Sequence, residues 1–385
     1  MITRGSQFKA RVRAMAARGV GVCDHPDGAG VFFVPGTWPG DFCVFEIVKV
    51  ERRYGEARLV RILETSSQRV TPLCPHQGVE EGACGGCPWM MASYESQLAE
   101  KKAAIAYQLE RAGFLKETTE LLPIEPSKGV FGYRNRAQFK TDGKVMGYVS
   151  ARSQTIAPIE DCPVLDAPTR SLFHAMRKTL PNDAWLPGEG FHWNFLDMDS
   201  DTTMETLEVN RRRPFKQGNE AQNRFMKGWI EEQLSHVSRG TPVMELFCGS
   251  GNFTEVLSKM GFQNICASEV SKKAVEILSS KNFPGVFPVA TNLFRAGSWN
   301  TLQKTMREPG VLVLDPPRAG FSLLPRFLKA FPSTHTLLYI SCDLPHFIRD
   351  ASQARKRGFF LKSVQPVDLF PHTPHVELLG LFKRG

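Results

Sequence analysis

The sequence has no long apolar run. Among 385 residues, 42% of them apolar and 23% charged, no stretch approaches the roughly 18 uninterrupted apolar residues of a membrane helix. Met1 to Arg13 holds no apolar run of signal-peptide length either. Both absences weigh against membrane insertion and export, so a cytoplasmic location with no membrane partner is expected. An internal repeat, a low-complexity tract and a heptad seam are also missing, and a monomer is expected. Nine cysteines, an odd number with no export signal beside it, argue against a disulfide framework. Metal binding or covalent chemistry is the expectation for any that cluster.

Acidic residues are outnumbered, 39 against 48 Lys and Arg, leaving a formal charge of +9. Such an excess favours a polyanionic partner through the release of condensed counterions. The length suggests two or three domains. Residues 1–66 read as short apolar, β-branched runs broken by Gly and Pro, such as Gly30 to Val34 and Asp41 to Val50, which predicts a small β-barrel or sandwich. Residues 67–215 begin with a stretch rich in Cys, Gly and Pro, carry a helix from Tyr94 to Ala112 closed by Gly113, and continue as a small α+β region. Residues 216–385 become regular from about 240. Strands at 243–247, 264–270, 286–290, 310–315 and 336–340 alternate with helices at 253–260, 272–280, 323–330 and 344–357, with last strands near 359–368 and 376–382. That order predicts an α/β, doubly wound, mostly parallel sheet with ligands at the carboxyl ends of its strands.

Glu245-Leu-Phe-Cys-Gly-Ser-Gly-Asn-Phe253 is a strand leading through a glycine turn into a helix. Gly249 and Gly251 let the backbone approach a ligand, but the third glycine of a dinucleotide fingerprint is missing. Glu269 ends the next strand, where a carboxylate can accept ribose hydroxyls, and Asn292 ends the third, near where an adenine would lie. The set resembles the S-adenosylmethionine site of class I methyltransferases. Asp315-Pro-Pro-Arg318 closes the fourth strand; an aromatic residue in place of Arg318 would have suggested exocyclic amine methylation.

Cys342 ends the fifth strand on the same edge. A thiolate there can add to carbon 6 of uracil, making carbon 5 nucleophilic enough to take a methyl group. The helix beginning at about Leu344 is expected to help ionise it. A base must then remove the carbon 5 proton, and Glu377, in Phe370-Pro-His-Thr-Pro-His-Val-Glu377, is the candidate, with His372 and His375 to orient it. Cys74, Cys84 and Cys87, with Cys162 as the fourth ligand, suit zinc or an iron–sulfur cluster, and spacing does not separate the two.

With these residues the whole chain resembles the RNA 5-methyluridine (uracil-C5) methyltransferases that carry a cluster, relatives of the 23S rRNA enzymes. The resemblance implies a TRAM-type RNA-binding barrel at 1–66, a central domain at 67–215 whose Cys74, Cys84, Cys87 and Cys162 hold a [4Fe-4S] cluster, and a class I methyltransferase domain at 216–385. It implies cofactor contacts at Gln217, Phe247, Asn252, Glu269, Asn292 and Asp315, beside the glycine turn at Gly249. Cys342 falls on the nucleophile and Glu377 on the base. The expected partner is RNA, 23S rRNA ahead of tRNA; the rivals are a cytosine-C5 or exocyclic-amine methyltransferase and a non-catalytic cluster-bearing RNA-binding module. The chain departs from the family in three places. Nine residues lie between Cys74 and Cys84 where about five are usual, Asp343 stands where Asn follows the nucleophile, and Val270 replaces the glycine after Glu269.

Overall fold

The short apolar, β-branched runs of the first 64 residues become, in the computed structural model, a six-stranded sheet. The structure describes residues 3–16, 19–28, 30–116, 119–150 and 153–385. Strands β1 (Gln7–Arg11), β2 (Ala14–Met15), β3 (Gly21–Asp24), β4 (Val31–Val34), β5 (Phe42–Val50) and β6 (Tyr54–Glu64) lie in the order β1-β5-β6-β4-β3-β2. β1 buries Phe8 and Ala10 and turns Gln7, Lys9 and Arg11 outward. Only Val12 and Arg13 separate the edge strands β1 and β2, so one bent segment supplies both edges and neither stays long and open. Phe8, Phe32, Phe45 and Ile47 fill the interior with Cys23 and Cys43, whose thiols burial pushes up to about 12, as inert packing groups. Below them Asp41, fully buried, accepts from the backbone N–H groups of Trp38 and Ser66 and from Arg69 Nε at 3.0 Å.

Two units are distinguished by their internal packing. The first takes residues 1–104, 129–213 and 370–374; the second takes 105–128, 214–369 and 375–385. The first also holds the start of α1 (Tyr94–Arg111) and a sheet ordered β10 (Ile156–Pro158), β9 (Met146–Val149), β8 (Arg136–Thr141), β11 (Asn194–Asp199). Helix α2 (Ala167–Lys178), capped by Asp166, packs Phe173 and Met176 with Phe139, Leu196 and Met198.

The second unit centres on eight strands in the order β14-β13-β12-β15-β16-β18-β17-β7. These are β7 (Glu120–Leu121), β12 (Val243–Leu246), β13 (Ile265–Glu269), β14 (Val286–Ala290), β15 (Val311–Leu314), β16 (Thr336–Ser341), β17 (Phe359–Val367) and β18 (Glu377–Arg384). β14 to β16 run parallel, and β18 inserts antiparallel between β16 and β17. β15 and β16 are buried at every residue, as strands covered on both faces are. The helices are α3 (Glu220–Gln233), α4 (Thr254–Lys259), α5 (Lys272–Ser280), α6 (Trp299–Thr305), α7 (Leu324–Ala330) and α8 (Leu344–Arg355). The α/β sheet of the sequence reading is present, with α3 and α6 as additions to it.

Candidate active site

β12 ends in three left-handed residues, Phe247 (φ 62°), Gly249 (φ 55°) and Gly251 (φ 96°). A phenylalanine in that region is strained, and its ring is held against Phe294 and Phe321 at centroid distances of 5.8 and 5.4 Å. A Cβ on Gly249 would meet nothing within 4 Å, whereas one on Gly251 would lie 2.5 Å from Leu278 Cδ1. The turn therefore needs glycine for packing at one position and offers open space at the other. Glu269 braces it from the neighbouring strand: Gly249 N–H donates to its Oε2 (3.2 Å), while Val270 and Ser271 donate to Oε1 (2.8 and 3.0 Å). A carboxylate has about four acceptor sites, which leaves Glu269 capacity for a ligand hydroxyl.

The other expected cofactor residues are differently engaged. Asn252 exchanges amide hydrogen bonds with Asn223 of α3 (2.9 and 3.1 Å), and Asn292 Oδ1 accepts from Phe294 N–H (3.0 Å). Gln217 is buried just before Asn219, the N-cap of α3. Beneath the turn lies an acid the sequence reading gave no role, Glu245. It accepts from Thr254 Oγ1 at 2.5 Å, and burial, with Asp315 adding to it, pushes its carboxyl up to about 8.

The residues expected as nucleophile and base converge through strand register. Ser341 of β16 pairs with Leu378 of the antiparallel β18, so the next residues, Cys342 and Glu377, come level at the strand ends. Asp315 follows β15, which pairs with β16 on its other side. Burial first, then the charges of Glu377, Asp315 and Asp343, push the Cys342 thiol up to about 12 against the opposing pull of Arg318. Burial likewise raises Asp315 to about 7, and burial with the Asp315 charge raises Glu377 well above the carboxylate range. Burial thus works against the charged form of all three groups.

That differs from the expectation that α8 would ionise Cys342. The helix does begin at Leu344, but Asp343 caps it, its Oδ1 accepting from His346 N–H (3.0 Å) and contacting His346 Nδ1 (2.7 Å). A carboxylate already occupies the positive end of the helix.

Arg318 is the group the sequence reading undervalued. Its charge bears on both Cys342 and Glu377, and its Nη2 lies 3.4 Å from His375 Nε2. The loop carrying it is fixed by buried Asp350, which accepts from Phe321 N–H (2.7 Å), Tyr339 OH (2.6 Å) and Arg349 Nε (2.7 Å). Nothing in the pattern of α8 marked Asp350, because an acid within an amphipathic helix usually faces solvent. Of the two histidines expected to orient Glu377, His375 meets Arg318. His372 belongs to the first unit, where its backbone N–H donates to Gln97 Oε1 (2.8 Å) and its ring lies 4.8 Å from Phe131.

Cys74, Cys84, Cys87 and Cys162 share the core of the central sheet. Burial raises Cys84, Cys87 and Cys162, and each of these thiols further raises its neighbours. Among the described residues, however, no group of three or more His, Cys, Asp or Glu side chains could hold a metal ion. The expected metal centre is therefore not shown.

The family model described as tRNA (Uracil-5-)-methyltransferase matches residues 195–283. An uncharacterized RNA methyltransferase of Nitrosomonas europaea is 42% identical over 380 residues, covering 98% of this chain and 97% of its own. The 23S rRNA (uracil(1939)-C(5))-methyltransferase RlmD of Halomonas elongata is 28% identical, covering 97% of this chain and 88% of its own. In fold, the chain is similar to the Pyrococcus abyssi tRNA (uracil-54, C5)-methyltransferase solved with S-adenosyl-L-homocysteine. That similarity has a TM-score of 0.70 at 20% identity and covers 97% of this chain and 100% of the other.

Proposed function

Because the chain belongs to the RNA uracil-C5 methyltransferase family, we propose that it methylates one uridine of 23S rRNA through a covalent Cys342 adduct that Glu377 resolves. It is an enzyme that uses S-adenosylmethionine, with RNA as its substrate class. The observation that carries the finer reading is the β16–β18 register, which sets Cys342 level with Glu377. Support for ribosomal RNA comes from the full-length similarity to an enzyme named for it.

S-adenosylmethionine supplies an electrophilic methyl group on its sulfonium. Phe247, Gly249 and Glu269 shape the turn that would receive it, with Gln217, Asn252, Asn292 and Asp315 as further contacts. The target uridine leaves its stack so that carbons 5 and 6 are reachable. Cys342 gives its proton to a nearby carboxylate in its ionised form and its sulfur would add to carbon 6, while carbon 5 would take the methyl group as its bond to the sulfonium breaks, leaving the cofactor's sulfur as a thioether. Glu377 then removes the carbon 5 proton, the double bond re-forms, and the thiolate leaves. A carboxyl raised above its ordinary range is a stronger base once ionised, and Glu377 is raised in that sense. Arg318 offsets the negative charge that passes between sulfur and carboxylate.

The N-terminal sheet is read as a TRAM-type RNA-binding domain. Cys74, Cys84, Cys87 and Cys162 are read as ligands of a [4Fe-4S] cluster that joins residues 74–87 to the segment around 162. Support is their common core and mutual charge effects; iron and sulfide analysis of anaerobically purified protein tests it, and absence of both refutes it.

The reaction is tested with tritiated-methyl cofactor and total RNA from a strain lacking the protein. Label recovered as 5-methyluridine in large-subunit RNA is expected; label in tRNA overturns the substrate, and label on another nucleoside overturns the reaction. Cys342→Ala is expected to bind RNA without forming an adduct, and Glu377→Gln to accumulate a methylated adduct stable to denaturing gel electrophoresis.

A further inference from the structure

The sheet formed by β8 to β11 buries Ala137, Phe139, Leu196 and Met198 in its core and turns Arg136, Gln138, Lys140 and Phe195 the other way. On that outer face the two ends differ. At one, Arg136 and Arg213 are tied to Asp197 and Asp199 in ion pairs of 2.7 and 2.9 Å, so Arg213 is structural. At the other, Phe195 pairs with Lys140 across the strands, and Lys140 Nζ stands 5.0 Å from the ring centroid. Its hydrogen bond goes to the neutral amide of Gln138 (2.9 Å), and Arg212 and Asp197 are both close enough to act on its charge, in opposite senses.

The aromatic surface continues along the chain. Trp193, half-buried, stands one residue before β11 begins and two before Phe195. The His192 ring is 5.8 Å from the Trp193 ring at an interplanar angle of 38°. Phe191, just beyond the turn at Gly188–Gly190, is 74% exposed, the most exposed large apolar side chain among the described residues. A lone exposed phenylalanine needs no explanation. Four aromatic rings within five residues, flanked by Lys140 and exposed Arg212, form the combination that binds unpaired nucleotides: rings for bases, cations for phosphates.

We propose that the strip from Phe191 to Phe195, with Lys140 and Arg212, is a stacking surface for unpaired bases of the RNA substrate, separate from the methyl-transfer residues. It rests on the reading of the protein as an RNA-modifying enzyme and specifies which state of the RNA the first unit recognises. Stacking within a duplex covers the faces of the bases, so single strands and loops are taken in preference to duplex.

The test is fluorescence anisotropy of the full-length protein with a labelled single-stranded oligoribonucleotide and with the same strand annealed to its complement. The single strand is expected to bind more tightly. Phe191→Ala and Trp193→Ala should each weaken single-strand binding about 5- to 150-fold, the worth of one base–aromatic stack, with Phe191→Tyr restoring it. Cofactor binding should be unchanged, and in methylation assays KM for RNA should rise while kcat holds. Equal affinity of the variants and the wild type for the single strand overturns the proposal and makes the strip a protein-facing patch. A preference for duplex overturns it too. If the wild-type protein methylates no RNA yet single-strand binding depends on Phe191, the proposed activity fails and the stacking surface stands.

Discussion

Asp343 places a full negative charge one residue after the proposed nucleophile. Its carboxylate is among the charges that hold the Cys342 thiol high. Asp343→Asn would keep an oxygen to cap α8 and remove the charge. The rising limb of the pH–rate profile is then expected to move to lower pH, and the rate near neutrality to rise roughly twofold to tenfold. An unmoved profile would show that thiol ionisation does not limit the reaction. Glu245 acts on stability instead. Its folded-state carboxyl is raised to about 8 against about 4.3 in an unfolded chain. A raised carboxyl contributes stability that is fully present below the unfolded value and lost as pH rises through the folded one. Between pH 4.3 and 8 this residue therefore costs progressively more, on the order of 3 kcal/mol by pH 7. Glu245→Gln, which can still accept from Thr254, should flatten the fall in thermal midpoint across that window.

Among the elements, the buried pair of Asp41 and Arg69 ties the loop before β5 to the segment that leads into the cysteines. Arg69→Met would strand a fully buried carboxylate, and a loss of about 3 kcal/mol in denaturant unfolding is expected. Asp350→Ala should free the loop of Arg318 in the same way. Methylation should fall by about tenfold or more, while cofactor affinity, set at the Phe247–Gly251 turn, stays near wild type. The elements legible in the sequence are those with apolar runs: Leu-Leu-Tyr-Ile in β16 and the runs that form β4 and β5 could be read directly. Helix α3 could not, because it buries Gln222 and Asn223 beside Met226, Trp229 and Ile230. Those amides reach the Glu125 and Asp368 carbonyls and the Asn252 side chain, contacts invisible without the fold. At the candidate site the residue types were legible and the partnerships were not. Cys342 and Glu377 stand 35 positions apart in sequence, and only the insertion of β18 beside β16 sets them level. The upward shifts at the centre follow from burial, which no motif records.

At the scale of the whole molecule, the charge is unevenly distributed. Residues 216–385 carry 21 Lys and Arg against 13 Asp and Glu, so most of the net +9 lies there. RNA affinity should therefore fall steeply with salt, by at least about a hundredfold between 50 and 200 mM, and a flat dependence would exclude phosphate contacts as its main source. The two units are also interleaved along the chain. Phe370–Pro374 belongs to the first, where Trp89 N–H donates to the His372 carbonyl (2.9 Å) and Tyr133 OH to that of Pro371 (3.1 Å). On the ribosome, the first unit cannot be completed until residue 374 has left the exit tunnel, when almost the entire second unit has already been synthesised. A chain truncated before residue 370 lacks both the strand that bears Glu377 and the segment that finishes the first unit.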